Sequence, residues 1–276
     1  MSDAAYKQAT VEQWTADPCG EVVASGETGT RAYFEALERS RVDYGPWMED
    51  QLGYAGTAGL DVLDVGCGQG IDLARYARGG ANVTGLDLTP RHVELARAHL
   101  AAFGLPGTVV QGDAEELPFA DDSFDRVSSN GVLHHTPNIE TALREIRRVL
   151  RPGGEARIIV YNRSSLHYWI GQVLDSGLMQ RKLFTEGSME GVLRHVEHST
   201  SGEGRPLVRV YSPRQVRRLL REAGFGGVET RVRHFHAGDT FITDYLQRFA
   251  SPLRDARTLD RIGRVAGWYV IGSGRA

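Results

Sequence analysis

Between residues 60 and 161, short apolar runs alternate with stretches whose apolar residues recur every three or four positions. The runs Leu60–Val65, Asn82–Leu88, Thr108–Gln111, Phe124–Ser129 and Ala156–Tyr161 predict five strands. Helices are predicted between them over 70–79, 90–103 and 138–150. Thr89-Pro90 supplies a cap and a first-turn proline to the second, and Pro152-Gly153-Gly154 closes the third. The rhythm stops at residue 162. Residues 162–211 carry His, Tyr, Trp, Met and Gly with no strand period, and predict an insertion that is helical in part. Ser212-Pro213 opens a helix that runs to Ala223 and stops at Gly224. Val228–Phe235 and Trp268–Ser273 are β-rich, and a second insertion, 237–264, separates them. Residues 1–50 are mixed and aromatic-bearing, with one helical stretch near 29–41.

Strand–helix alternation implies an α/β fold with a mostly parallel, doubly wound sheet and helices on both faces. The expected organisation is an N-terminal arm (1–50), a core (51–161), a cap insertion (162–211) and a segment completing the sheet (212–276). In open sheets of this type ligands bind beyond the carboxyl ends of the strands. The arm and both insertions can reach that edge.

Composition narrows the picture without naming a function. With 276 residues, 41% of them apolar, the chain has the length for one large domain or a domain with a cap. A net charge of −3 creates no general attraction for nucleic acid or an anionic membrane. The start, MSDAAYKQAT, lacks the basic end and apolar stretch of a signal peptide, and no apolar run approaches the ~20 residues of a bilayer span. A soluble, cytoplasmic protein is the expectation. Cys19 and Cys67, the only cysteines, form no CxxC pair, and the histidines do not stand at zinc spacing around them, so neither a metal nor a disulfide framework is expected.

The segment VLDVGCGQGIDLARYA, 62–77, has the strand–glycine-turn–helix form of a nucleotide cradle. A dinucleotide fingerprint would need a third glycine where Ile71 stands; the glycine is at 70. No phosphate-loop lysine follows. DVGCGQG instead resembles the first motif of class I S-adenosylmethionine (SAM) methyltransferases. Asp87 at the end of the second strand, GDAEELPF (112–119), SFDRVSSNGVLHH (123–135) and LRPGG (150–154) agree with that family in order and spacing. The resemblance covers roughly 60–160 and points to the small-molecule group that includes the quinone-biosynthesis enzymes. It implies a Rossmann-like sheet whose last strand is antiparallel, with SAM as cofactor and S-adenosylhomocysteine as product.

The implied cofactor residues are Asp64, Gly66, Cys67, Gly68, Gly70, Asp87, Leu88, Asp113, Ala114, Asn130 and Gly131. The glycines let the backbone pass close to the methionine and ribose parts, and Asp87 accepts from the ribose hydroxyls. Asp113 and Ala114 stand at the adenine edge and Leu88 beside the ring. Asn130 and Gly131 lie at the methionine end. Asp64 holds the glycine loop or meets the ammonium group through water; Cys67 is a small residue suited to the turn.

Catalysis can be largely positioning. His134 and His135, just after the fourth strand, are candidate general bases, or only part of the family's motif. Tyr161, Asn162 and Arg163 at the end of the fifth strand either meet substrate or cap a loop. Tyr6 and Trp14 cover the site or anchor the arm, and His167 with its aromatic neighbours contacts ligand or packs the cap. Arg205 and Arg209, preceding Tyr211, can clamp a carboxylate or phosphate. The leading expectation is transfer of a methyl group to O, N or C of a small metabolite in specialised biosynthesis. Methylation of a peptide or other anionic acceptor, and SAM binding without transfer, stay open; nucleic-acid and membrane partners are not expected, and the oligomeric state is open.

Overall fold

The computed structural model describes residues 2–19, 26–197, 206–246, 249–250 and 255–276. Seven strands form one sheet: β1 Asp61–Val65, β2 Asn82–Asp87, β3 Thr108–Gln111, β4 Phe124–Asn130, β5 Leu150–Tyr161, β6 Gly226–Arg233 and β7 Tyr269–Arg275. Their order is β3-β2-β1-β4-β5-β7-β6. The first five pair in parallel, and β7 runs antiparallel to both β5 and β6. The expected sheet is therefore observed, last strand included. The order reverses between β1 and β4, which opens a crevice at their carboxyl ends.

The central strands are buried on both faces, so they contribute to two cores. Val62 packs on one face with Leu73, Ala74, Tyr76 and Ala77 of α3 (Ile71–Arg78) and with Val93, Ala96 and Leu100 of α4 (Pro90–Ala102). Leu63 and Val65 pack on the other with α5 (Ile139–Val149) and, further along, α8 (Pro213–Glu222). In α5, Ile139, Ala142, Leu143, Ile146 and Val149 form the stripe a 3.6-residue period dictates. Each large one contributes ~1.5–3 kcal/mol by leaving water. Ser212 and Gln215 form a reciprocal cap at the start of α8, Pro213 sits in its first turn, and Gly224 follows its end at φ +93°.

Some boundaries differ from expectation. Thr89 stands at the cap position of α4, but its hydroxyl makes no cap bond; its amide donates instead to Asp87 Oδ1 at 2.9 Å. Pro152-Gly153-Gly154 does not follow a helix end by a loop. The chain leaves α5 at Val149 and enters β5 directly, with a bulge against β4. There Gly153 N–H donates to the carbonyl of Ala276, and Ala276 N–H donates to the carbonyl of Gly154. The arm holds an unforeseen helix, α1 (Asp3–Ala16), before α2 (Arg31–Tyr44). After β5 come a helical segment at His167–Met179 wound with the wider i→i+5 pitch and two short helices, α6 (Lys182–Glu186) and α7 (Met189–Leu193). The second insertion carries α9 (Phe241–Leu246) and α10 (Ala256–Ala266). Among the described residues, no helix is long and apolar enough to cross a membrane.

Candidate active site

The carboxyl ends of β1, β2, β3, β4 and β5 open into one cavity, over which α1 and α2 lie. At the end of β1, Gly66, Gly68 and Gly70 have φ of +75°, +52° and +81°. A side chain is strained at all three, but their surroundings differ. A Cβ on Gly66 would lie 2.4 Å from both γ-carbons of Val132. One on Gly70 would lie 3.1 Å from Ala96 Cα, so this glycine sets how closely α3 approaches α4. One on Gly68 would meet nothing within 4 Å, and Gly68 lines the cavity. Gly66 and Gly70 are thus demanded by packing, whereas Gly68 leaves bare backbone facing open space. The loop is held from outside by Gln69, which accepts from Tyr33 Oη at 2.7 Å and donates to the carbonyl of Cys19 at 2.8 Å.

Asp87, at the end of β2, is buried in the cavity wall. Its Oδ2 accepts from Gly68 N–H at 2.9 Å, and His92 Nδ1 lies 3.2 Å from Oδ1. Burial opposes its charge, but the hydrogen bonds from His92, Thr89 and Gly68 outweigh that and hold the carboxyl below its ordinary range. It stays an anion at neutral pH, with lone pairs left for further donors. Leu88 and Ala114 line the wall beside it. Asp113 also lines it, but its Oδ2 is taken up by Lys7 of α1 at 2.6 Å, and the same ammonium reaches Glu115 at 2.7 Å. The arm is clamped by charge to the loop after β3.

At the α3 end the wall is acidic. Asp72 accepts from Tyr54 Oη at 2.6 Å and from Asn130 Nδ2 at 2.9 Å. Arg41 of α2 faces the same space without a carboxylate within 4 Å among the described residues. Gly131 lines the cavity at φ +76°. Asp64 does not line it. Asp64 is buried beneath the loop and accepts from Ser128 Oγ at 2.9 Å. Burial, then the nearby charge of Asp72, pushes its carboxyl up to about 8.

Part of the wall is aromatic. Trp14, Tyr161 and Tyr269 line it with His135 and Glu197. His135 Nδ1 lies 2.7 Å from the carbonyl of Leu207, so that nitrogen carries a proton, and Nε2 lies 3.6 Å from Glu197 Oε1. Tyr161 Oη donates to that same Oε1 at 2.7 Å. His134 is fully buried behind them, its ring 3.9 Å from that of Tyr161. Burial, then His135, drives its imidazole well below the ordinary range.

Of the residues the sequence suggested for substrate, Trp14 and Tyr161 reach the cavity. The others are occupied elsewhere. Tyr6 Oη donates to Glu190 of the cap. Asn162, one residue past Tyr161 and so on the opposite side of the strand, donates to the carbonyl of Gly267. Arg163 is exposed, and its amide bonds the carbonyl of Tyr211. His167 Nδ1 pairs with the carbonyl of Asp239, Arg209 donates to the carbonyl of Pro137, and Tyr211 packs in the α5–α8 core. Arg205 lies outside the described residues. The sequence reading passed over Lys7, Arg41, Asp72, His92, Glu197 and Tyr269. Only Asp72 and His92 carried a local signal, an acid in the first turn after a glycine loop and a histidine one turn after Pro90.

A parallel sheet with a glycine turn after β1, an acid closing β2 and an antiparallel β7 defines the architecture of a class I SAM methyltransferase. Comparison with known proteins agrees. A methyltransferase-domain family model matches residues 63–158. The chain is 33% identical over 176 residues to the ubiquinone biosynthesis O-methyltransferase of Chromobacterium violaceum, covering 58% of this chain and 75% of that protein. It is 43% identical over 107 residues to the malonyl-[acyl-carrier protein] O-methyltransferase of Erwinia pyrifoliae, 39% of each chain. The chain spans between 33% and 62% of the length of the first four curated relatives it matches. The fold is shared with the 1,6-didemethyltoxoflavin-N1-methyltransferase of Burkholderia thailandensis, solved with 1,6-didemethyltoxoflavin and S-adenosylhomocysteine. The TM-score is 0.54 at 18% identity, with 100% of this chain and 90% of that one covered. The chain belongs to the family of class I SAM-dependent methyltransferases, and SAM is its cofactor. The cavity fits that cofactor: bare backbone at Gly68, an anionic acceptor at Asp87, and acidic Asp72 beside cationic Arg41.

Proposed function

We propose that this chain methylates a hydroxyl oxygen of a small molecule seated against Trp14, His135, Tyr161, Glu197 and Tyr269. The observation that carries this reading is the pair formed in the cavity wall by His135 Nε2 and the Glu197 carboxylate, 3.6 Å apart. A hydroxyl must lose its proton in order to attack, and such a wall accepts one. Bound SAM supplies an electrophilic methyl group on its sulfonium. Asp87 accepts from the ribose hydroxyls. Asp72 suits the ammonium group and Arg41 the carboxylate of the methionine part. Asp113 stands at the adenine edge only if it shares its carboxylate with Lys7. The two curated relatives described above are named as O-methyltransferases, which is in keeping with an oxygen acceptor.

The test is a turnover screen reading S-adenosylhomocysteine across phenols, alcohols, carboxylates, amines and prenyl diphosphates. Product from hydroxyl acceptors, lost in His135→Ala, supports the reading. Turnover confined to amines or carbon acceptors would replace it.

A further inference from the structure

His134 presents an unusual situation. Its side chain is 0% exposed, yet among the described residues neither ring nitrogen has a hydrogen-bond partner. A buried polar atom left unpaired costs ~1–3 kcal/mol, and in a native protein such an atom marks a missing water, an ion or a functional demand. The ring is not isolated from other donors. One ligand atom each from His134, His135 and Glu197 lie within 4.8 Å of one another.

We propose that His134, His135 and Glu197 hold one divalent cation, zinc foremost, with an open coordination position facing the acceptor end of the cavity. Two imidazoles and one carboxylate are the donor set of a three-ligand catalytic zinc site. The supports that orient such ligands are also present. His135 is fixed by its Nδ1 bond to the carbonyl of Leu207, which turns Nε2 toward Glu197. Tyr161 Oη donates to Glu197 Oε1, which holds the carboxylate beside His135. Ligand bonds of ~2.0–2.2 Å need the three donors to draw together from their present spread. The linear pattern pointed away from a metal because it was sought around the cysteines; the three donors come from one adjacent pair and a distant cap residue.

The role of the cation rests on the O-methylation reading, although its binding does not. A hydroxyl bound at the open position ionises more readily, its proton passing to solvent. The oxygen lone pair then forms the O–CH3 bond, and the C–S electron pair returns to sulfur, leaving neutral S-adenosylhomocysteine. His135 and Glu197 then serve as ligands rather than as the base.

The full chain, dialysed against EDTA, would be titrated calorimetrically with zinc, manganese and magnesium, and separately with SAM. Cobalt(II) would be added and its visible absorption read for a four-coordinate site. One equivalent of zinc should bind, and Glu197→Gln should weaken it at least tenfold while leaving the SAM dissociation constant within twofold. His134→Gln should remove the cobalt bands, and circular dichroism confirms that it folds. No stoichiometric binding of any of these cations by a chain that binds SAM overturns the site and leaves the methyltransferase reading standing. Zinc bound equally by wild type and Glu197→Gln also overturns the site as assigned. Zinc bound as expected, with every hydroxyl acceptor inert, counts against O-methylation and not against the site.

Discussion

Gly66 and Gly68 are two residues apart in one loop, but replacing each with alanine should do different damage. In Gly66→Ala the new Cβ lies 2.4 Å from both γ-carbons of Val132 and 2.8 Å from its β-carbon. Val132 is branched at Cβ, so no rotamer withdraws all three atoms. Overpacking of this kind costs ~1–3 kcal/mol, and an alanine held at φ +75° costs ~1–2 kcal/mol more. The sum, roughly 2–5 kcal/mol, is a large part of the 5–15 kcal/mol typical of a folded domain. Gly68→Ala carries only the backbone cost, because its Cβ meets nothing within 4 Å, but it places a methyl group in the cavity wall. Urea denaturation of the ligand-free proteins should rank Gly66→Ala well below Gly68→Ala. SAM titration of whatever folds should show Gly68→Ala weakened at least tenfold. Adding Val132→Ala to Gly66→Ala should recover part of the overlap cost, since both γ-carbons go while the β-carbon stays at 2.8 Å, and none of the backbone cost. Equal destabilisation by the two single changes, or no rescue by the second, would refute the distinction between a packing glycine and a ligand-facing one.

Asp87→Ala should raise the SAM dissociation constant at least tenfold by calorimetry, since it removes a buried anion from the cavity wall; an unchanged constant would remove the ribose assignment. The folded Asp64 carboxyl keeps its proton until about pH 8, whereas the unfolded one releases it near 3.8. That contribution to stability is complete below the unfolded value and is lost as pH rises toward 8. Asp64→Asn, which keeps an acceptor for Ser128, should therefore gain on wild type by up to ~2.7 kcal/mol between pH 6 and 8 in urea melts of the ligand-free chain; parallel pH profiles would contradict a buried neutral acid. Lys7→Met breaks both ion pairs of the arm. Amide exchange across α1 should speed up while β1 and β2 keep their protection, and exchange unaffected across 3–16 would show that charge does not hold the arm down.

Much of the cofactor end was readable because its parts are local. Each candidate there sits at or just past the carboxyl end of a strand, and a parallel sheet brings all such ends to one edge whatever the strand order. Gly66, Asp87, Asp113 and Asn130, which the family resemblance implied, all line the cavity at that edge. The acceptor end failed where the rule was extended by one residue. Tyr161 faces the cavity but Asn162 does not, since successive side chains on a strand point opposite ways.

The chain taken alone determined its alternation of strands and helices, the glycine turn after the first strand and the acid closing the second, because propensity, period and turn chemistry act over a few residues. Folding in three dimensions decided which of two neighbouring histidines reaches the cavity, that Lys7 sits on Asp113, and that Glu197 meets His135 and Tyr161. Those are contacts between segments remote in sequence, fixed by the burial of whole faces and by which charge finds its partner, and no local pattern records them.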